Sequence, residues 1–457
     1  MSGLPQLTEP PIVPLFLQDA PNEPLQLGSI GVQFEHDSES YSETAKAVLR
    51  FLPKDRLSFV IPTDDDAPSR GLGLAFDGWQ GELRLGVSGV TVKAMCGAVG
   101  RKYGGINLLP MISGVTVTPP CESIVKVTFH LFNFPDFKGP DDYVLLSGDP
   151  PRQGARGCGR TTLRADGWTI EITELRKTDE LVKGLKDQGG FVITHVGSIV
   201  CDDGATFTST QLDDLLQCLQ CFLSFALGRW AGLALAVGFD ANGDRVFEEW
   251  GMRMTAEGHW HGSCAWFDSR HAELLSQVFP GFVALWKSQL WHQPLTEALY
   301  WYLAANDRGT GIGVDAGLIL AQTALELLAW NYCVKDRRMV SEAAFKQRGL
   351  SAADKLRLLA SATGIPKNIP PQLKALHSKP GAPWSDAMHA ITDIRNSLVH
   401  PDAASRPRDN TYYDAWRLSL WFIDLVLLRL CNHSGKYSNR LVTRWVGTVE
   451  SVPWAEA

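Results

Sequence analysis

From about Ser58 to Thr206, apolar residues come in short runs that alternate with polar ones and break at Gly, Pro or Asp. RLSFVIP, GELRLGVSGVTV, SIVKVTFHLFNF, DYVLLSG, GWTIEITEL and GGFVITHVGSIV are rich in Val, Ile, Thr and Phe. Successive side chains on a strand point to opposite faces, so this period of two predicts half-buried strands. The stretches Lys138–Asp142 and Gly148–Trp168 carry turn residues and read as loops. Residues 1 to about 35, rich in Pro and Gln, read as an extended arm. Thr208–Ser209–Thr210 opens a helix with Asp213 and Asp214 in its first turn, where the helix dipole favours anions, and Gly228 stops it. Two further strands, GLALAVGFD and RVFEEWGMRM, flank a turn at Asn242-Gly243.

Beyond about Gly281 the period changes. Trp286–Asn306 and Val314–Val334 place apolar residues at helical spacing, as in Leu318, Leu325, Leu328 and Ala329. Ser351–Thr363, Ser385–Val399 and Asn410–Cys431 complete five helices joined by Pro- and Gly-marked loops. The predicted fold class is α+β: a β-rich N-terminal domain over residues 1–280, followed by an all-α, up-and-down bundle over 281–457. A length of 457 residues, at roughly 150 residues per domain, accommodates two large units.

Composition narrows the class. With 45% hydrophobic and 20% charged residues, disorder, collagen-like repetition and a coiled-coil rod are excluded as the dominant architecture. The net charge of −7 argues mildly against a nucleic-acid partner, but it hides an asymmetry. From Gly281 onward there are 20 Lys and Arg against 15 Asp and Glu, a balance of +5, which leaves −12 for the residues before. Two domains with different partners give this pattern, and so does ordinary compositional drift. Nine scattered cysteines make no disulfide framework in a chain this long. MSGLPQLTEPPIVP lacks the basic start and apolar stretch of a secretory signal. The apolar tract Cys221–Phe239 is interrupted by Arg229 and three glycines, so a buried helix followed by a strand explains it better than a membrane span. The expectation is a cytoplasmic protein with reduced thiols, no membrane and no cofactor.

The sharpest local signal is ITDIRNSLVHPD, residues 391–402. Arg395 and His400 stand about one and a half helical turns apart, on roughly opposite sides of an ideal helix. They can serve one site if His400 sits at a frayed helix end before Pro401, or if two copies of the helix meet across a two-fold axis. Asn396 and His400, four apart, share a face. A guanidinium grips phosphate oxygens, an imidazole moves protons near neutral pH, and an amide orients or donates. An amphipathic helix ending in an exposed His is the plainer account of the same residues.

RNSLVH resembles the R-x4-6-H motif of HEPN ribonucleases, with the polar residue after Arg that this superfamily favours. The surroundings are similar as well: an earlier helix carrying ALELLAW, a short DKLRLLAS helix, and a long apolar helix afterwards. The first part, with GGFVITHVGSIV before LDDLLQCLQCFLSFALGRWAG, resembles the N-terminal domain of ApeA-like HEPN proteins of bacterial anti-phage defence. The resemblance implies a HEPN-type helical domain that cuts RNA without metal, through attack of the 2′-hydroxyl, to leave a 2′,3′-cyclic phosphate. It implies a homodimer, RNA (tRNA or its anticodon loop) as substrate, and a phage-derived trigger acting on a regulatory N-terminal domain. In that frame Arg395, Asn396 and His400 are the catalytic candidates. Glu326 on ALELLAW matches an acidic position that orients Arg395 or His400, and a surface Glu explains it as readily. Asp393 reads as solvated or ion-paired. A non-catalytic HEPN dimerisation or nucleotide-binding module is the alternative.

Other features carry weaker chemistry. His259, His261 and Cys264 in GHWHGSC have ligand types that suit zinc, but strand alternation explains the His pair at least as well. Cys218 and Cys221 form a CxxC inside an apolar helix and read as buried thiols, and His195 reads as a core histidine. Lys335, Arg337 and Arg338, then Arg406 and Arg408, then Lys436, Arg440 and Arg444 form basic clusters suited to RNA phosphates. Tyr437, Trp445 and Trp454 could stack bases or cover the bundle.

Overall fold

Strands that alternate in period two must bury one face, and among the described residues most do so in a closed barrel and a seven-stranded sheet, beside a small three-stranded and a two-stranded sheet. The computed structural model describes residues 4–36, 39–51, 56–62, 81–87, 90–102, 105–110, 114–146, 156–253, 264–307, 313–347, 349–377, 384–400, 410–442 and 445–455. Six strands, Leu25–His36, Glu39–Arg50, Arg56–Pro62, Gly81–Val87, Val90–Lys102 and Gly105–Pro110, close into an antiparallel barrel. Gly81–Val87 pairs back onto the first strand, with Leu83 opposite Phe34, and the closure leaves no open edge. The arm expected over residues 1–35 therefore ends at Pro24, since Leu25 opens the first barrel strand. Before it, the chain is pinned to the second sheet: Leu15 and Phe16 N–H donate to His130 Nε2 (3.1 and 3.2 Å), and Ile193 N–H donates to Gln18 Oε1 (2.8 Å).

The second sheet has seven strands in the order Arg160–Ala165, Trp168–Glu174, Ile193–Cys201, Lys126–Phe132, Gly232–Phe239, Arg245–Gly251, Gly114–Thr116. All neighbours are antiparallel. Two features of this part of the chain depart from the sequence reading. Residues 148–168 are not all loop: Arg156–Cys158 and Arg160–Ala165 are strands. Only Thr161 and Leu163 of the latter point fully inward, and Arg160 pairs across to Glu171 at 2.8 Å, so its polar composition conceals the alternation. Thr178–Gln188 forms a helix, α1, that buries Leu181, Val182 and Leu185.

Helix α2, Ser209–Leu227, begins and ends where its sequence predicts, although Asp213 and Asp214, expected in its first turn, lie beyond that turn. Thr208 Oγ1 accepts Gln211 N–H while Gln211 Oε1 accepts Thr208 N–H, a reciprocal capping box. Gly228 closes it in the left-handed region at φ 67°. The helical part continues with α3 (Glu273–Lys287), α4 (His292–Asn306), α5 (Gly313–Trp330), α6 (Glu342–Lys346), α7 (Ala352–Thr363), α8 (Lys374–His377), α9 (Ala387–Val399) and α10 (Thr411–Leu430). The five expected helices correspond to α4, α5, α7, α9 and α10, and α5 runs on into a π-helical segment, Asn331–Asp336.

The fold is thus α+β. Its core does not break at residue 280, which lies inside α3. One continuous set of buried side chains runs from Ile124 through Phe222, Phe279 and Leu325 to Trp454, because α2 and α3 pack between the sheet and the helices. Gly281 permits this packing: a Cβ there would lie 1.8 Å from the Cys431 carbonyl oxygen, beyond the end of α10. A second core, including Phe51, Phe132, Ile193, Leu235 and Trp250, joins the barrel to the sheet. Among the described residues one helical run, Gly313–Asp336, is long and apolar enough by composition to cross a membrane, and it packs against α4 and α10.

Candidate functional site

Helix α9 is held at its start by a charged relay from α7. The Asp386 carboxylate caps it, accepting His389 N–H at 2.9 Å. Arg357 of α7 grips the same carboxylate twice, Nε to Oδ2 at 2.6 Å and Nη2 to Oδ1 at 3.1 Å, and reaches Asp354 at 2.6 Å. Burial pushes the Asp386 carboxyl up, but Arg357 and the His389 N–H outweigh it and hold the group below the usual carboxylate range. The start of α9 is therefore fixed while its far end is presented.

Along α9, Ala387, Ala390, Ile391 and Ile394 face the core, Arg395 and Leu398 are half-buried at its edge, and Asn396, Val399 and His400 are exposed. His400 leaves helical geometry at φ −110°, ψ 118°, yet its N–H still donates to Asn396 O at 3.0 Å. Asn396 and His400 thus stand one above the other, as their spacing predicts. Arg395 Nη1 donates to Asn396 Oδ1 at 3.3 Å, and Arg395 Nε is buried without a partner among the described residues. Arg395 and His400 of one chain do not hydrogen bond to each other among the described contacts. The end of α9 offers a guanidinium with unspent donors, an amide and an exposed imidazole, a set that can bind an anion and move a proton.

Glu326 lies on α5, which packs against α9, but its Oε1 accepts Gln322 Nε2 at 2.6 Å, with no bond to Arg395 or His400 among the described residues. Asp393, expected to be solvated or ion-paired, accepts the Trp384 indole N–H at 2.8 Å. Of the basic candidates, Lys335 pairs with Glu342 at 3.2 Å and lies over the Trp330 ring. Arg337 lies over the Tyr332 ring, and Arg338 is exposed with φ 48°. Arg406, Arg408, Arg444, His259 and His261 lie outside the described residues.

Arg440 is a correction: it is a buried structural cation and not a phosphate contact. Its Nε donates to Asp424 Oδ2 at 2.6 Å, Nη2 to Tyr302 Oη at 2.8 Å, and Nη1 to Asn306 Oδ1 at 3.0 Å. Burial pushes its pKa down, but Asp424 and Tyr302 outweigh that and the net direction is upward. Tyr437 and Trp454 are also buried, the latter donating to His433 O, so of the three aromatics only Trp445 stands exposed.

The remaining titratable candidates behave as core. Burial pushes the Cys218 thiol well up and Cys221 to about 12, which makes both unreactive near neutral pH. His195 stacks on Phe137 and has its pKa lowered to about 3 by burial and by Lys138. His130 was not singled out by sequence, yet it clamps the N-terminal segment, its Nε2 accepting two backbone N–H groups while Nδ1 donates to Leu235 O at 3.3 Å. Burial lowers its pKa to about 4. Among the described residues no group of three or more His, Cys, Asp or Glu is placed to hold a metal. Sequence offered one signal for the Arg440 network, Asp424 alone inside the apolar run of α10, and none for its partners.

Comparisons with known proteins point to one name. Residues 120–260 match a model of the YopA central domain, and residues 288–451 match a model of the YopA C-terminal domain. The SPbeta prophage-derived uncharacterized protein YopA of Bacillus subtilis (strain 168) is 25% identical over 456 residues, covering 96% of this chain and 97% of that protein. No solved structure matches. The chain is therefore similar, over nearly its whole length, to a prophage protein, and it carries two regions that match YopA domain models.

Proposed function

We propose that this chain is an endoribonuclease of the HEPN type, acting at the C-terminal end of α9. The observation that carries the reading is the Arg395–Asn396–His400 end of that helix. His400 is exposed at a frayed terminus, Asn396 lies beneath it, and Arg395 has an unpartnered Nε. In this reading RNA, with tRNA as the candidate substrate, places a phosphate at Arg395. His400 takes the proton of the 2′-hydroxyl as that oxygen bonds to phosphorus. The P–O5′ bond breaks and the departing 5′-oxygen takes a proton from water, while Arg395 stabilises the charge that develops on the phosphorane-like centre. A second copy supplies the other half of the site, because the five-residue step from Arg395 to His400 sets them on roughly opposite sides of an ideal helix. The barrel and sheet regulate the helices and receive a phage-derived trigger in the cytoplasm. The prophage origin of the relative supports a defence role, since a resident phage genome shares its host's interest in stopping a competitor. Glu326 has no catalytic part in this reading while Gln322 holds it.

The test is cleavage of total RNA and tRNA by the full chain beside Arg395→Ala and His400→Ala. Wild-type cleavage that falls by about a hundredfold or more in each variant supports the reading. Undiminished cleavage by His400→Ala overturns it. The separation of Arg395 and His400 within one chain favours a second reading, a non-catalytic RNA-binding module, which gains if RNA binds and no cyclic phosphate ends form.

A further inference from the structure

A cleft of about 420 Å³ opens between α3, the turn after it, the π-helical end of α5 and the C-terminal end of α10. Its floor is the apolar edge of α3 around Leu285, with Trp291 and Tyr332 in the wall. Two guanidiniums line it, Arg337 and Arg429. Each is placed by an aromatic ring: Arg337 lies 5.4 Å from the Tyr332 centroid and Arg429 lies 5.4 Å from that of Trp454.

The donors of these two arginines are unspent, unlike those of three arginines elsewhere in the helical part. Arg357 is committed to Asp386 and Asp354, Arg440 to Asp424, and Arg417 to the carbonyls of Arg440 and Leu441. Neither Arg337 nor Arg429 donates a side-chain hydrogen bond to another described residue, and the nearest carboxylate oxygen to Arg337, on Asp336, is 3.9 Å away, beyond hydrogen-bond reach. Asp336 is instead held by the Trp291 indole N–H on Oδ2 at 3.1 Å, which leaves its other oxygen to accept from a ligand.

We propose that this cleft binds a nucleoside phosphate. The paired guanidiniums take the phosphate, the α3 edge and the aromatic wall cover a planar base, and Asp336 accepts an N–H from that base. The volume suits one nucleotide, within the range of small-molecule sites. The π-helical segment explains how the site is built. Its wider turn shifts the backbone register at Asn331–Asp336 and brings Asp336 and Arg337 to the cleft rim, and such segments recur at functional sites. The proposal is independent of cleavage at α9. The nucleotide has two sources, a free mononucleotide or one residue of an RNA chain.

Isothermal titration of the full chain tests it with GMP, inorganic phosphate and a 5′-phosphorylated hexaribonucleotide as separate probes. The expected result is that GMP or the oligonucleotide binds more tightly than phosphate alone. Arg337→Gln/Arg429→Gln should weaken that binding by about tenfold or more, and Arg164→Gln, exposed on the sheet and outside the cleft, should not. Binding by GMP marks the free nucleotide as ligand, and binding by the oligonucleotide alone marks RNA. Circular dichroism melts of the variants guard against misfolding. The proposal is overturned if neither nucleotide probe binds at millimolar concentration. It is equally overturned if phosphate binds as tightly as the nucleotide probes that bind, or if the folded double variant binds as the wild type does.

Discussion

Replacing Arg440 by Met tests whether the buried charge network ties the C-terminal segment to the rest of the helices. Arg440 and Asp424 are 7% and 0% exposed, and they meet through two hydrogen bonds, Nε–Oδ2 at 2.6 Å and Nη2–Oδ1 at 3.1 Å. Tyr302 Oη donates to Asp424 Oδ1 at 2.6 Å, and Asn306, which accepts from Arg440, also donates to Gly228 O and Cys264 O. One guanidinium therefore joins α10, α4 and the end of α2. Met fills much of the volume but leaves a buried carboxylate with only the tyrosine hydroxyl, and breaking a buried pair in this way costs about 3–5 kcal/mol. For a cooperative unit of about 150–250 residues this lowers Tm by about 6–20 °C. In contrast, Arg440→Met/Asp424→Leu removes both charges and should recover most of the loss, since a packed apolar replacement of a buried pair is often neutral. The assay is calorimetric unfolding of the full chain, read at the transition of the sheet-and-helix core. A single variant within about 1 kcal/mol of wild type, or a double variant as unstable as the single one, would rule out this role for the pair.

Three further outcomes are expected. The folded-state pKa of His130 is about 4, below its ordinary 6.5, so the unfolded chain takes a proton that the fold refuses. Stability from this group is complete above pH 6.5 and is lost as pH falls towards 4, at up to about 1.4 kcal/mol per pH unit. His195 acts in the same direction, and His130→Gln should flatten the slope measured by urea titration in that window. Gly281→Ala puts a methyl into the Cys431 carbonyl and should destabilise by about 1–3 kcal/mol, seen as a lower urea midpoint. Arg357→Ala removes both bonds to Asp386 and should speed amide exchange over the first turn of α9, while loss of these charge-assisted bonds costs about 1–3 kcal/mol. Unchanged exchange at His389 would contradict it.

Sequence resolved the parts whose local chemistry agrees with their tertiary setting. Helix α2 was legible at both ends because Thr208, Gln211 and Gly228 make their capping contacts within a few residues. Arg56–Pro62, Gly81–Val87 and most strands of the seven-stranded sheet were legible as strands, while Leu25–His36 was read as arm and Glu39–Arg50 and Gly105–Pro110 were not read as strands. Their division into barrel and sheet was not legible, because pairing Lys126–Phe132 with Gly232–Phe239 is set by packing and not by spacing. Arg160–Ala165 was lost among polar residues whose partners lie on the next strand. The boundary near 280 followed a change of texture, while the continuous core depends on the close approach that Gly281 allows to Cys431, far off in the chain. At the candidate site, the shared face of Asn396 and His400 was legible from a four-residue step, and the Arg357–Asp386 anchor was not, because it joins two helices. Arg440 looked like one cation of a surface cluster until Asp424 met it in the core.

Everything proposed for the activity turns on the chemistry at the end of α9. The direct measurement is mass spectrometry of the RNA ends left by the purified full chain, with and without EDTA, beside His400→Ala. A metal-free site at Arg395 and His400 predicts 2′,3′-cyclic phosphate ends that form equally with EDTA and disappear in the variant. Products bearing 3′-hydroxyl ends, or cyclic ends that persist undiminished in His400→Ala, would contradict it.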